Sequence, residues 1–233
     1  MLLLAVDTSG KNGSLALARV NPDRSDVEVV EAVPLTGGTF SAQLVPQISA
    51  LLAKHCCSKL NLSAFAAVSG PGSFTGLRVG LAAIKALAEV LQKPIAAVSL
   101  LEAIAWSGHL DGRVVAALDA GRREVYVGDY EIGSTEDDRQ LRMLGERLLG
   151  REEFLTEARG EAGEKMVVTP DASLAEFLSA AGIRTQRIEY PTSAVIAHLA
   201  WDRIRRGQIV RPEDLEANYI RRSDAEIFSQ PNS

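Results

Sequence analysis

Residues 69–78, Ser-Gly-Pro-Gly-Ser-Phe-Thr-Gly-Leu-Arg, close an apolar run that begins at Ala64 and open a helix-patterned stretch that reaches Leu91. Strand, glycine turn, helix is the order this dictates. Gly70 and Gly72 can adopt positive φ at little cost, Pro71 stiffens the turn, and Ser73 is a natural N-cap. After the cap, the only charges on the helix are Arg78, Lys85 and Glu89. At roughly 100° per residue they share a wedge about 40° wide. Gly76, Gly80, Ala83 and Leu87 form a low ridge opposite the wedge, where another backbone could come close. Leu77, Leu81, Ile84 and Leu91 lie on one flank, Val79, Ala82, Ala86 and Val90 on the other. A surface helix needs an apolar stripe of only somewhat over about 100°. Two readings follow: a central helix inside one large domain, or a helix packed on its own sheet and on a second protein as well.

The chain's 233 residues suffice for one large domain or two small ones. Hydrophobic residues make up 46% and charged residues 24%, as in ordinary globular proteins, and the net charge of −5 gives nucleic acid or anionic membrane no bulk attraction. The apolar start, 1–6, lacks a basic flank and is cut short by Asp7, and no run is long enough for a membrane span. Cys56 and Cys57 are the only cysteines and are adjacent, which suits neither an unstrained bridge nor a zinc site. A reduced, cytoplasmic protein is expected.

Read in order, the chain predicts strands over 2–7, 14–20 and 27–35, a helix capped by Thr39 with a kink near Pro46, then the 64–69 strand and the helix to Leu91. A strand over 94–99 and a helix capped by Ser99 follow, with Glu102 in the first turn where the helix dipole favours a negative charge. After a joint at 108–113 the plan restarts: 114–119 is apolar and ends in Asp119, as 2–7 ends in Asp7. This echo suggests duplication. A strand over 124–132 follows, then a charged hairpin loop over 133–140 and a strand over 141–149. Beyond them come short helices near 152–159 and 174–181, strands over 166–169 and 184–189, a longer helix over 193–206, a polar tail segment over 213–224, and fraying at 229–233. The class is α/β with mixed sheets flanked by helices. The lobes are 1–107 and 108–207, with 208–233 packing back on the first.

The glycine string is one residue too long for a dinucleotide fingerprint and lacks the Gly-Lys-Ser/Thr ending of a P-loop. No nucleophile elbow surrounds Ser73, and His55, His109 and His198 are too scattered for a metal site. The best enzymic hint is the pair of strand-end aspartates, Asp7 (with Thr8 and Ser9) and Asp119. Such turns can hold phosphates and orient magnesium-bound water; an Asp that merely caps its own turn fits equally. Arginines cluster at 122–123, at Arg203, Arg205 and Arg206, and at 221–222, which suits solvated faces or local RNA contact.

Ala5-Val6-Asp7-Thr8-Ser9, the string from Val68 to Gly80, Val98-Ser99-Leu100-Leu101-Glu102-Ala103, Asp119 with Glu124-Val125-Tyr126, and Asn218-Tyr219-Ile220-Arg221 together resemble the bacterial TsaB (YeaZ) family. The resemblance implies an actin-like (sugar kinase/Hsp70/actin) fold of two related lobes. It implies a non-catalytic role, without a cofactor of its own, in making threonylcarbamoyladenosine beside the anticodon of tRNA. The partners it implies are the catalytic paralogue TsaD, which carries the metal, and the ATPase TsaE, with a homodimer when TsaD is absent and only indirect or local tRNA contact. Phe40 stands where the family often has histidine, so no metal role carries over, and these residues lend nothing to the older peptidase label. The expected partner contacts are Phe40, Leu44 and Ile48 from the first helix and Phe74, Gly76, Leu77, Arg78, Gly80, Leu81 and Ile84 from the second. Gly80→Arg is then expected to abolish pairing in a folded monomer. The alternatives are a small phosphotransferase or ATPase using Asp7 and Asp119, and a tRNA binder using the arginine clusters.

Overall fold

The computed structural model describes residues 1–23, 25–36, 39–134, 139–160 and 165–220. Three antiparallel strands lead: β1 (Leu2–Asp7), β2 (Gly13–Val20) and β3 (Val27–Leu35). Helix α1 (Phe40–Lys54), β4 (Leu62–Gly70), α2 (Phe74–Leu91), β5 (Ile95–Ser99) and α3 (Leu100–Ser107) follow. Then the same succession repeats. It runs β6 (Gly112–Gly121), β7 (Glu124–Ser134), β8 (Arg139–Gly150), α4 (Arg151–Gly160), β9 (Met166–Thr169), α5 (Ala172–Ala180), β10 (Thr185–Arg187) and α6 (Ser193–Arg205).

The two sheets have one topology. The orders are β3-β2-β1-β4-β5 and, reversed, β8-β7-β6-β9-β10. In each, the first three strands are antiparallel and the last two run parallel to the first. The echo between the Asp7 and Asp119 strands is therefore carried through the sixteen strands and α-helices of the described residues. This is the actin-like, two-lobed α/β architecture.

The last helix of each half packs across the molecule. Helix α3 lies on β6 and β7, and α6 lies on β1, β2 and β5. Strand β1 is consequently buried from Leu3 to Asp7, with α2 against one side of the first sheet and α6 against the other. One hydrophobic cluster runs through both halves, from Leu3 and Phe65 to Tyr130, Val168 and Trp201.

Local chemistry follows the sequence with a few differences. Ser73 and Ser99 cap as expected, accepting from Gly76 N at 3.3 Å and Leu101 N at 3.2 Å. Thr39 does not cap through its side chain; its hydroxyl pairs with the Gln43 side-chain amide instead. Helix α1 runs through Pro46, which sits on its solvent face, where water can reach the carbonyl that proline leaves without a helical donor. Strand β8 is longer than expected because its pairing with β7 continues out to Ser134 and Arg139, whereas β10 shrinks to three residues, two half-buried and Arg187 exposed. Among its described residues the tail contains one 3₁₀ turn, Pro212–Asp214. Residues 135–138 of the hairpin loop, the Arg221-Arg222 pair and the expected fraying at 229–233 lie outside the described residues.

Candidate functional site: the glycine string, its helix and the cleft between the lobes

The backbone that approaches the glycine ridge is the chain's own. A methyl group at Gly76 would overlap the Thr8 carbonyl oxygen, one at Gly80 would overlap Thr8 Oγ1, and one at Gly72 would come within 2.5 Å of Ser9 O. Thr8 Oγ1 donates to Gly76 O at 2.7 Å and Ser73 N donates to Ser9 O at 2.6 Å. Gly72 is thus small for close approach rather than for its dihedral. Gly70 does adopt φ +135°, with Asn218 O lying 2.7 Å from where a Cβ would stand. The string from Ser69 to Gly80 clasps the Asp7-Thr8-Ser9 turn on one side and the C-terminal segment on the other.

This clasp orients α2. Gly76, Leu77, Gly80, Leu81, Ile84 and Ala88 are buried against the first sheet. The other flank is open: Thr75, Arg78, Ala82, Ala86 and Glu89 are exposed, as are Phe74 at 42% and Val90 at 73%. Of the ten side chains expected to meet a partner, only Phe74 and Arg78 are outward. Phe40, Leu44 and Ile48 of α1 are core residues, like Gly76, Leu77, Gly80, Leu81 and Ile84, because their own sheet covers them. The Gly80→Arg expectation changes accordingly: the added side chain would strike Thr8 inside the lobe. At the start of α2 the Arg78 guanidinium lies 3.7 Å above the Phe74 ring, the Tyr219 ring stands 5.1 Å from that of Phe74, and Arg78 Nε donates to Tyr219 Oη at 3.1 Å.

Between the lobes lies a cleft of about 910 Å³ whose walls include Ser9, Lys11, Ser73, Asp119, Asp171 and Tyr190. The four turn residues singled out from sequence do not share it equally. Ser9 and Asp119 line it. Thr8 is spent on α2, and Asp7 is 1% exposed behind Ser9, whose N and Oγ both donate to Asp7 Oδ1, at 2.8 and 2.6 Å. Burial pushes the Asp7 carboxyl above the usual carboxylate range, partly offset by these two bonds. Asp119 accepts from Gly121 N at 3.2 Å and Arg151 Nη2 at 3.1 Å, and its own N–H donates to Asp171 Oδ2 at 2.7 Å. Burial raises the Asp171 carboxyl too, and it raises the Tyr190 phenol, with Asp7 adding to that rise. Arg122 and Arg123 occupy the hairpin turn at φ 53° and 62°, where glycine or asparagine is usual. Asp171 and Tyr190 carried no sequence signal; the topology alone brings them to the cleft.

A second polar cluster sits where β5 passes into α3. Arg203 of α6 pairs with Glu102 and donates to Ala97 O, and Glu146 of β8 accepts from Ser99 Oγ, Tyr130 Oη and, at 3.0 Å, Asn218 Nδ2. Desolvation pushes Glu102 up to about 7 despite Arg203, with Glu146 and Asp202 adding to the rise. Ser99, Glu102, Arg203 and Asn218 each stood out in the sequence, but for a cap, a helix dipole, a basic cluster and a family motif, not for one another; Glu146 and Tyr130 did not stand out.

The family model for TsaD, tRNA N6-adenosine threonylcarbamoyltransferase, matches residues 35–227. The tRNA threonylcarbamoyladenosine biosynthesis protein TsaB of Bacillus subtilis is 36% identical over 132 residues, 56% of either chain. The Escherichia coli TsaB is 32% identical over 134 residues, 56% of this chain and 55% of that one. The matched stretch thus spans little more than half the length of these curated relatives. The structure of YeaZ from Pseudomonas aeruginosa superposes with a TM-score of 0.72 at 25% identity, covering 93% of this chain and 100% of that one.

Proposed function

The chain belongs to the TsaB (YeaZ) family, and we propose that it is a non-catalytic subunit of the machinery that makes threonylcarbamoyladenosine in tRNA. Its partners in this reading are a TsaD-type transferase and a TsaE-type ATPase. The observation that carries the reading is the open flank of α2, where Phe74, Ala82, Ala86 and Val90 face outward from a helix whose other flank is core. Small side chains there allow a second helix to approach closely, and Phe74 and Arg78 are residue types that anchor interfaces. The transferase model matches most of this chain, so both partners would share one fold and could pair in a pseudo-twofold manner through corresponding helices. Self-pairing fits the same flank: an antiparallel crossing centred near Ala83 sets Arg78 of each copy opposite Glu89 of the other.

The buried Asp7, held by Ser9 rather than open to the cleft, supports a subunit without chemistry of its own. The runner-up, a phosphotransferase or ATPase, draws on the cleft with Ser9, Ser73 and Asp119 in its walls. Calorimetry of the isolated chain with millimolar Mg-ATP separates the two, since the subunit reading expects no heat of binding. For the partner face, Ala86→Arg is expected to abolish co-purification with a TsaD-type transferase and to remove tRNA modification in a mixture with the ATPase. The monomer should melt as before, because residue 86 is exposed. Undiminished pairing would sink the reading.

A further inference from the structure

The segment after α6 returns along the first lobe. Val210 N donates to Ile95 O at 2.8 Å, Lys85 Nζ donates to Glu213 O at 3.1 Å, and Leu215 is buried. Its last described turn then does something different. Asn218 N donates to Ser69 O of the glycine string at 2.7 Å, while the same residue's Nδ2 reaches Glu146 Oε2 on β8 of the other sheet at 3.0 Å. Glu146 already gathers Tyr130 from β7 and Ser99 from the end of β5 on its other oxygen. Asn218 is therefore joined to both lobes at once, and Tyr219, next along, rests on Phe74 at the start of the open α2 flank.

We infer that Asn218 and Glu146 form a latch between the lobes, set by the C-terminal segment, which holds the glycine string and the Phe74–Arg78 end of α2 in register with the second sheet. The consequence for pairing rests on the partner reading above; the latch itself does not. When it opens, Tyr219 leaves Phe74, and the first turn of α2 loses its outer support. The carboxylate makes the Glu146–Asn218 bond charge-assisted, so replacing its donor with a second carboxylate turns attraction into repulsion at hydrogen-bond distance.

The roles in this bond can be exchanged, and that provides the test. Asn218→Asp keeps the backbone bond to Ser69 but sets a second carboxylate against Glu146. Adding Glu146→Gln leaves Oε1 to accept from Ser99 and Tyr130 and turns an amide toward the new carboxylate. In the full chain alone, Asn218→Asp should speed amide hydrogen exchange in residues 69–76 and 141–150 about tenfold, and the double variant should restore it. Asn218→Ala should move exchange in the same direction by less and decides the matter if Asn218→Asp does not fold. Affinity for the transferase should follow the same loss and rescue. Wild-type exchange in Asn218→Asp, or in Asn218→Ala where that variant decides, overturns the latch, as does a double variant no better than the single. If the wild-type chain fails to pair, the partner reading falls while the exchange series still decides the latch.

Discussion

At Gly76 a single methyl group decides whether the glycine string can close on the Asp7 turn. The obstacle is the Thr8 carbonyl, which belongs to the buried turn after β1 and cannot swing aside as a flexible side chain would. Gly76→Ala is expected to cost about 3 kcal/mol, and Thr8→Val about 1 kcal/mol for the lost bond to Gly76 O. Gly145→Ala, where an added Cβ meets nothing within 4 Å, should stay within about 0.5 kcal/mol. Urea midpoints of the three variants check this order. The hairpin turn offers the reverse case: Arg123 is exposed at φ 62°, so Arg123→Gly should gain about 1 kcal/mol by the same measure. The need for glycine at Gly70 was legible in the sequence. That Gly72, Gly76 and Gly80 serve close packing against Thr8 and Ser9 was not, because 60 residues or more separate the two sides.

Among the elements, α2 shows how far a pattern can be read. Its all-round apolar character and its charge wedge were plain in the sequence, but which flank meets the home sheet was not. Leu77–Leu81–Ile84 and Val79–Ala82–Ala86 are both apolar, and only the position of β4 and the clasp at Thr8 separate them. The junction of β5 and α3 carries a prediction of its own. Glu102 is buried on α3 and faces Arg203 and Asp202 from α6, Ser99 at the end of β5, and Glu146 from β8. Its folded pKa, about 7, lies above its ordinary value of 4.5, so the folded state binds the proton more tightly. Stability from this group is therefore full below about pH 4.5 and is lost as pH rises to about 7, by an amount on the order of 3 kcal/mol. Glu102→Gln should flatten the fall of melting temperature between pH 5 and 7. An unchanged slope would place the titration elsewhere.

For the whole molecule, the duplication and the crossing of α3 and α6 have to be considered together. Each half repeats the same eight elements, yet neither sheet is finished by its own half, since α6 covers β1, β2 and β5 while α3 covers β6 and β7. Cutting the chain at Leu110 should thus leave 1–110 without cover for one side of its first sheet. That fragment is expected to aggregate alone and to yield a soluble complex when coexpressed with 111–233, as gel filtration would reveal. A fragment 1–110 that unfolds cooperatively by itself would contradict the interdependence of the lobes. The same crossing brings the turns at Ser9 and Asp119, from opposite sheets, into the walls of one cleft.

The sequence by itself determined the strands, the helices, their order, the Ser73 and Ser99 caps and the repeat of the aspartate-ended strand, since these depend on residues a few positions apart. Through the length and specificity of the 69–78 string it also pointed to the family. The tertiary structure decided that Asp7 is buried and Asp119 is not, that Glu102 pairs with Arg203, that Asn218 reaches Glu146, and that the outward face of α2 is the Phe74–Ala82–Ala86–Val90 flank. The physical reason is the same in each case. An apolar side chain gains equally by burial against its own sheet or against a partner, and a carboxylate is indifferent to which arginine arrives, so only the path of the chain through space chooses between them.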